Sequence, residues 1–226
     1  MTTWIYRISL ALILAALFYW LYPTSEPDPR PQMWNLHVEN GQISVLGLGI
    51  NESQLQQVSK TLKSIPNTAL FTSKQTKNKP AAKMHLEAYY EDLFDEGDRI
   101  IIGLNADKAL LEHIKEQAYQ PKLFPNGVIR VDIQENLIET IQQLSIQSIT
   151  IVAGWQINFE IFQEQFGKPE QLLDDGLGNA HFLYPKLGLD FIQPATGLQI
   201  LQFVAPDKFK TSLLDPLHAS MAEKAL

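Results

Sequence analysis

Residues Trp4 to Tyr22 read WIYRISLALILAALFYWLY, an apolar run in which Arg7 is the only charge. No other segment restricts the chain as much, because its length matches a bilayer. As an α-helix rising 1.5 Å per residue it spans about 28 Å, close to a hydrocarbon thickness of about 30 Å. Trp4 and Tyr6 stand at one end, Tyr19, Trp20 and Tyr22 at the other, the placement of an aromatic belt at both interfaces. Arg7 is near enough to the end to snorkel. The pattern predicts an uncleaved transmembrane anchor over 1–22. A cleaved signal peptide and a buried soluble helix are the rival readings. A signal's apolar region is shorter and ends in small residues, whereas this one ends Phe18-Tyr19-Trp20-Leu21-Tyr22. Arg7 and the terminal amine favour a cytoplasmic N-terminus. The expected location is therefore the inner membrane, single-pass, with the globular part in the periplasm.

Pro23, Pro27, Pro29 and Pro31 follow at once. Prolines so spaced cannot continue a helix and favour extended polyproline II, which makes 23–33 a semi-rigid stalk. Of the 226 residues, 45% are apolar and 19% charged, enough to bury a core and exclude wholesale disorder. The formal net charge of −7 argues against a general nucleic-acid binder, which needs a basic face to replace counterions. The chain has no cysteine. That excludes a disulfide scaffold, a Cys-ligated zinc site, a thiol nucleophile and an acylated lipoprotein Cys.

Beyond the stalk, Trp34 to Val38 and Gln42 to Leu46 flank Asn40-Gly41, a strong hairpin signal. Asn51 is the expected N-cap, with Gln54 at the capping-box position, of a helix carrying Leu55, Val58 and Leu62 on one face and ending near Pro66. Lys74 to Lys83 (KQTKNKPAAK) reads as a polar loop. Strands are expected at 84–90, 99–105 and 128–133, and helices at 108–118 and around Leu137 to Leu144. A strand with Ile149 and Ile151 leads through Gly154-Trp155 to a helix carrying Phe159, Phe162 and Phe166. Strands near 180–184, 189–193 and 198–204 close the pattern. Isolated helices between runs of strands predict an α+β fold.

The last third echoes the first. Phe159, Phe162 and Phe166 repeat the spacing of Leu55, Val58 and Leu62, and GDRIIIGLNADK (97–108) lies against GLQILQFVAPDK (197–208) at an offset of 100. An internal duplication of a helix-plus-antiparallel-sheet unit is one reading; chance likeness of hairpin ends is the other. The expected organisation is anchor 1–22, stalk 23–33, first module 34–108, connecting segment 109–148, second module 149–208 and C-terminal tail 209–226. Leu213, Leu214 and Leu217 place a short docking helix in that tail.

The run GWQINFEIFQEQFGKPEQLL, then HFLYPKLGLDFI, then GLQILQFVAP resembles the small α+β modules of the SmpA/OmlA outer-membrane-assembly lipoproteins and of β-lactamase-inhibitor-like proteins. It covers Ile149 to Pro206, with a fainter echo in 43–108. The whole chain is also similar to a group of membrane-anchored proteins of Gram-negative bacteria. The module resemblance implies a non-catalytic protein-binding role in the cell envelope. The chain departs from the lipoproteins in that a transmembrane helix would replace the lipid.

Motifs for chemistry are sparse. His37, His85, His113, His181 and His218 include no pair at metal-ligand spacing. There is no nucleophile elbow, phosphate loop or dinucleotide fingerprint. No catalytic residue, metal ligand or cofactor is assigned. Glu91, Asp92, Asp95, Glu96 and Asp98 form an acidic turn that either binds a hard cation or is simply solvated. The lysines at 74, 77, 79 and 83 either meet anionic groups or belong to a plain loop. Aromatics with polar tips are the better lead to recognition: Tyr89, Tyr90, Trp155, His181 and Tyr184 are the candidate partner-binding residues, with core positions as the alternative for each. Three functions follow. The first is a membrane-anchored envelope protein that is not an enzyme and presents a binding or assembly module to an envelope protein partner. The second is binding of a lipid or small apolar ligand. The third is an envelope hydrolase with dispersed catalytic residues.

Overall fold

The segment Ile146–Val152, IQSITIV, is rich in β-branched residues, which suit a pleated, half-buried backbone, and it has a strand hydrogen-bonded along each of its edges. This computed structural model describes residues 36–39, 41–73, 84–118, 121–125 and 127–224. The expected anchor, the stalk and the Lys74 to Lys83 loop lie outside the described residues. Among those described, no helix is long and apolar enough to cross a membrane.

In chain order, β1 (His37–Glu39), β2 (Gln42–Val45) and β3 (Leu48–Gly49) form a small antiparallel sheet. Helix α1 (Leu55–Leu62) precedes β4 (Asn67–Ser73), β5 (His85–Glu91) and β6 (Arg99–Leu104). Then come α2 (Lys108–Glu116), β7 (Lys122–Leu123), β8 (Val128–Asp132), α3 (Glu135–Gln142) and β9 (Ile146–Val152). Helix α4 (Phe159–Phe166) leads to β10 (Gln171–Asp174), β11 (Asn179–Tyr184), β12 (Leu189–Pro194) and β13 (Ile200–Val204). A 3-10 turn (Pro206–Lys208) and a π-helical turn (Lys210–Leu214) run into α5 (Asp215–Lys224). The large sheet has ten strands in the order β10, β11, β12, β13, β9, β6, β5, β4, β8, β7. The fold is α+β, with two sheets and five α-helices among the described residues.

Alternation along the strands sorts side chains into two faces. Leu86, Ala88 and Tyr90 of β5, Ile100, Ile102 and Leu104 of β6, Ile149 and Ile151 of β9, and Leu201 and Phe203 of β13 share one buried face. Helices cover it. Leu55 and Val58 of α1 are buried, and Ser59 Oγ and the Tyr90 hydroxyl share a 2.9 Å hydrogen bond. Helix α3 lies beside α1, where Gln56 Nε2 donates to Gln143 Oε1 at 3.0 Å. At the other end Phe159 and Phe162 of α4 stack on Phe182 and Phe191, with ring centroids 4.2 Å apart for Phe159–Phe182 and 4.7 Å for Phe162–Phe191. Phe159 and Phe162 thus meet an aromatic floor, and Phe166 packs against Phe162 with centroids 4.6 Å apart.

The opposite face carries His85, Glu87, Tyr89, Ile101, Ser148, Thr150, Val152 and Gln202, all at least partly exposed. Over β11 to β13 it is covered again. Leu183, Val204 and Phe209 make a second small core there with Leu173, Leu213 and Leu214, so the C-terminal segment docks as a helix on this face. Gly188 makes its tight return possible. Its φ is +60°, and a Cβ there would lie 1.9 Å from the Val204 carbonyl oxygen, a position only glycine can fill.

Several local expectations shift. Helix α1 starts at Leu55, and its capping box pairs Gln54 with Gln57, one turn later than expected. Asn51 instead adopts φ +69° in the preceding turn, a left-handed conformation Asn tolerates. Strands β4 and β10 were not foreseen. β4 (NTALFTS) shows no clean alternation, because Ala69 and Leu70 are both buried on opposite faces. The segment 109–148 supplies β8, which pairs with β4 and so extends the sheet formed by the first module. Helix α2 is capped by Asp107, whose Oδ1 accepts from Leu110 N at 2.8 Å.

Phe191 has no exposed surface and contacts three other aromatic rings. Phe191→Ala is expected to lower the unfolding free energy by about 3–5 kcal/mol in urea denaturation. Ile65→Ser, at a position 90% exposed, is expected to change it by less than about 0.5 kcal/mol.

Candidate functional site

Strands β11, β12 and β13 bring His181, Asp190 and Gln202 onto the face that carries the C-terminal helix. Asp190 lies between Leu183 and Gln202 in the ladder, and His181 lies opposite Ile192. The His181 and Asp190 side chains therefore approach diagonally, a distance long side chains can bridge. His181 Nδ1 sits 2.8 Å from Asp190 Oδ2, and both residues are buried. An ionised Asp190 accepts only, so it places a proton on Nδ1 and leaves Nε2 as the acceptor of a neutral ring. Asp190 Oδ1 is also buried and accepts no hydrogen bond among the described residues.

This pair lines a cavity of about 450 Å³ beneath the C-terminal helix, which contributes Pro216, Leu217 and Ser220. A second cavity of about 580 Å³ lies over the middle of the same face. Glu87, Ser148, Thr150 and Gln202 line it, with Leu111 of α2 on one side and Lys208 on the other. Gly103 is also in its lining, and a Cβ at that position would come 2.2 Å from Ser148 Oγ. Gln202, Ser212 and Leu213 line both cavities, so the two are neighbours along one groove face.

The candidate residues separate cleanly. Tyr89 faces the groove side, where its hydroxyl donates to Glu87 Oε2 at 2.6 Å. Glu87 Oε1 lies 3.3 Å from His85 Nε2, and Phe71 stacks on the His85 ring at 5.6 Å. Burial, then the Glu87 carboxylate, raises the Tyr89 hydroxyl well above the usual tyrosine range, so it stays a donor. Tyr90 is a core residue on the other face, 1% exposed. Tyr184 is buried as well, edge-on to Phe162, and burial raises its hydroxyl. Trp155 is half-buried in the loop after β9. Of the five, Tyr89 and His181 share the groove face; Tyr90 and Tyr184 belong to the helical core. Asp190 and Gln202 are new. Asp190 had a signal in the sequence, a carboxylate set between Leu189 and Phe191 in an apolar strand. In the acidic turn, Asp98 is buried and its carboxylate accepts from Leu93 N, Phe94 N and Asp95 N at 2.8, 2.8 and 3.1 Å. Its geometry is that of a turn stapled by its own backbone.

Burial alone would pull the His181 imidazole down, but the hydrogen bond and charge of Asp190, with Asp175 and Asp174 nearby, outweigh it and raise it above 6.5. Burial raises the Asp190 carboxyl, and His181 opposes this in part. A scan against protein-family models, a search of curated proteins and a search of solved structures each returned no match.

The sign of the pH dependence follows from linkage. The folded state holds the His181 proton more tightly than the unfolded chain, whose value is 6.5. That contribution is full below 6.5 and is lost as pH rises through the elevated native value. Asp190, raised from 3.8, acts in the same sense, its contribution being full below 3.8. Urea midpoints measured from about pH 6 to 9 are expected to fall with rising pH in the wild type and to flatten in His181→Gln.

Proposed function

We propose that this chain is a single-pass protein of the cell envelope, held in the inner membrane by Trp4 to Tyr22, whose periplasmic domain is a non-catalytic module that binds a protein partner. The observation that carries the reading is the groove. A ten-stranded sheet covered by helices on one face leaves the other open over β5, β6 and β9, with a polar floor of Glu87, Ser148 and Thr150. Walls on two sides give such a floor the depth to exclude water around a bound segment, while half-exposed groups such as Tyr89 add anchors with a polar tip. The same reading takes the two halves as copies of one unit. In support, α1 and α4 each precede an antiparallel meander; against it, β6 and β13 flank β9 with Arg99 and Ile200 both against Val152. That register sets the strands at an offset of 101, so Ile100 turns to the core while Ile200, its match at an offset of 100, turns to the other face; the sequence match at 97–108 and 197–208 is not reproduced by the register.

One observation favours a second reading, an envelope hydrolase. A buried carboxylate holding one imidazole nitrogen beside a cavity that also contains Ser212 and Ser220 is an orienter and a base in search of a nucleophile. Ester turnover by the full-length protein that disappears in His181→Gln would favour it over the binding module.

Thr150→Arg places a long charged side chain on the groove floor at a half-exposed position. In-cell crosslinking and affinity capture with this variant is expected to recover at least about tenfold less partner, equivalent to about 1.4 kcal/mol. The melting temperature is expected to stay within about 2 °C. Undiminished capture would rule out the groove as the binding surface.

A further inference from the structure

We infer that the open edge of β10 docks an extended segment of a partner protein, which joins the sheet as a further strand. The segment carries an apolar residue opposite Leu172 and a basic one opposite Asp174. This surface is separate from the groove, and neither proposal needs the other. Register carries the argument. On the helical face one cross-strand row runs Ile151, Leu201, Phe191, Phe182, Leu172. Ile151, Leu201 and Phe191 are buried and Phe182 is half-buried, whereas Leu172 is 61% exposed. The row therefore reaches the last strand of the sheet without a final neighbour. An apolar side chain on an added strand supplies one, since cross-strand pairs on one face are the unit of sheet stabilisation.

The backbone matches that row. Asp175 N donates to Asn179 O at 3.1 Å, so alternation along the antiparallel ladder turns the N–H and C=O of Gln171 and Leu173 toward β11. The same groups of Leu172 and Asp174 point outward. β10 ends the sheet, with β11 as its one ladder partner among the described residues. The other end of the sheet differs. There β7 has two residues, and Phe124 N donates to Val128 O at 2.8 Å, so the outward positions are 121, 123 and 125. Pro121 and Pro125 fill two of these and have no N–H to offer. That end is blunted by a common edge device, whereas β10 contains no proline.

Charge selects the occupant. Leu172 and Asp174, two residues apart, project to the same face, and both are exposed. Glu170 stands on the other side of Leu172, paired with Lys186 Nζ at 3.2 Å. A second copy of the chain fits poorly. Two β10 edges paired antiparallel with Leu172 opposite Leu172 set each Asp174 against a Glu170; a shift of two residues sets each Leu172 against a carboxylate. Like charges directly opposite destabilise a sheet pair, and each chain carries a net charge of −7. A foreign strand with an apolar residue and, two positions away, a lysine or arginine meets both Leu172 and Asp174 favourably. Main-chain hydrogen bonds then give affinity and the alternate side chains specificity.

The test uses the full-length protein in detergent and a fluorescein-labelled, C-terminally amidated peptide, Thr-Lys-Thr-Ile-Thr-Lys-Thr. Its two lysines let either strand direction meet Asp174. One control is N-methylated at the isoleucine and both lysines; the other has glutamate in place of both lysines. Fluorescence anisotropy is expected to give saturable binding of the lysine peptide, with a Kd of about 1 mM or tighter. The N-methylated control is expected not to bind, and the glutamate control to bind at least about threefold more weakly. Amide hydrogen exchange is expected to slow at Leu172 and Asp174 on saturation, but not at Leu123. Leu172→Pro, which removes one outward donor, and Leu172→Lys, which sets a cation on the edge, are each expected to weaken the lysine peptide at least about tenfold. The position is exposed, so melting temperatures are expected to stay within about 3 °C; should Leu172→Pro fail to fold, Leu172→Lys decides. No saturable binding, equal binding of the N-methylated control, protection that misses Leu172 and Asp174, or unchanged affinity in Leu172→Lys would overturn the inference. A peptide-free dimer that Leu172→Lys dissociates would put a second copy on the edge and overturn it too.

Discussion

Everything in the domain depends on β9 being paired along both edges. Its inward residues Ile149 and Ile151 lie against Ile102 and Ile100 of β6 on one side and Phe203 and Leu201 of β13 on the other. All six are buried, so three adjacent strands present one continuous apolar row to the helices. Without that strand the two meanders would each end in an open edge, exposing unpaired backbone groups and apolar surface together. The pairing also decides where the polar side chains go. Register places Thr150 and Ser148 beside Ile101, Gly103, Gln202 and Val204 on the reverse face. The groove is therefore a consequence of the same register that builds the core, since a one-residue slip would turn every side chain to the wrong side.

How much of this was legible in the sequence depends on whether local chemistry or distant pairing decides an element. Strong alternation in β8 and β9 and clear helical periodicity around Val58 and Phe162 gave the right element types. The one cap read from the sequence, Asn51, is displaced by Gln54, while the caps Asp107 and Asn158 went unread although they are local; Asn158 Oδ1 accepts from Glu160 N and Ile161 N. The misses have physical causes. Strand β10 carries Leu172 largely exposed on a sheet edge, so burial leaves no pattern there. β4 is assembled by its neighbours β5 and β8, far away in the chain. The site was legible only in fragments. His181 stood out as an aromatic with a polar tip, but its partner Asp190 is nine residues on and joins it only because β11 and β12 pair. Tyr90 and Tyr184 could not be told from surface aromatics, because alternation gives two faces without saying which one the helices take.

The polar face differs from the core in how its charges are held. In the helical core the Tyr90 hydroxyl is satisfied by Ser59, whereas the Tyr184 hydroxyl is buried with no hydrogen-bond partner among the described residues. On the groove face, titratable groups run in short chains: Tyr89 to Glu87 to His85 over β5, and His181 to Asp190 across β11 and β12. A buried ion pair of this kind is weak as a source of stability, because desolvation offsets much of its attraction. The C-terminal segment packs on this face through Phe209, Leu213 and Leu214, and Pro216, Leu217 and Ser220 line the space left beside the pair.

Site-specific photo-crosslinking of the full-length protein in its native envelope tests the central proposal most directly. A crosslinker is placed at Thr150 on the groove floor and, as the control, at Glu160 on the exposed side of α4. A discrete, reproducible adduct to one protein from Thr150 and none from Glu160 is the expected result. Adducts from Glu160 alone, or none from either position, would contradict a binding module that works through the open face of its sheet.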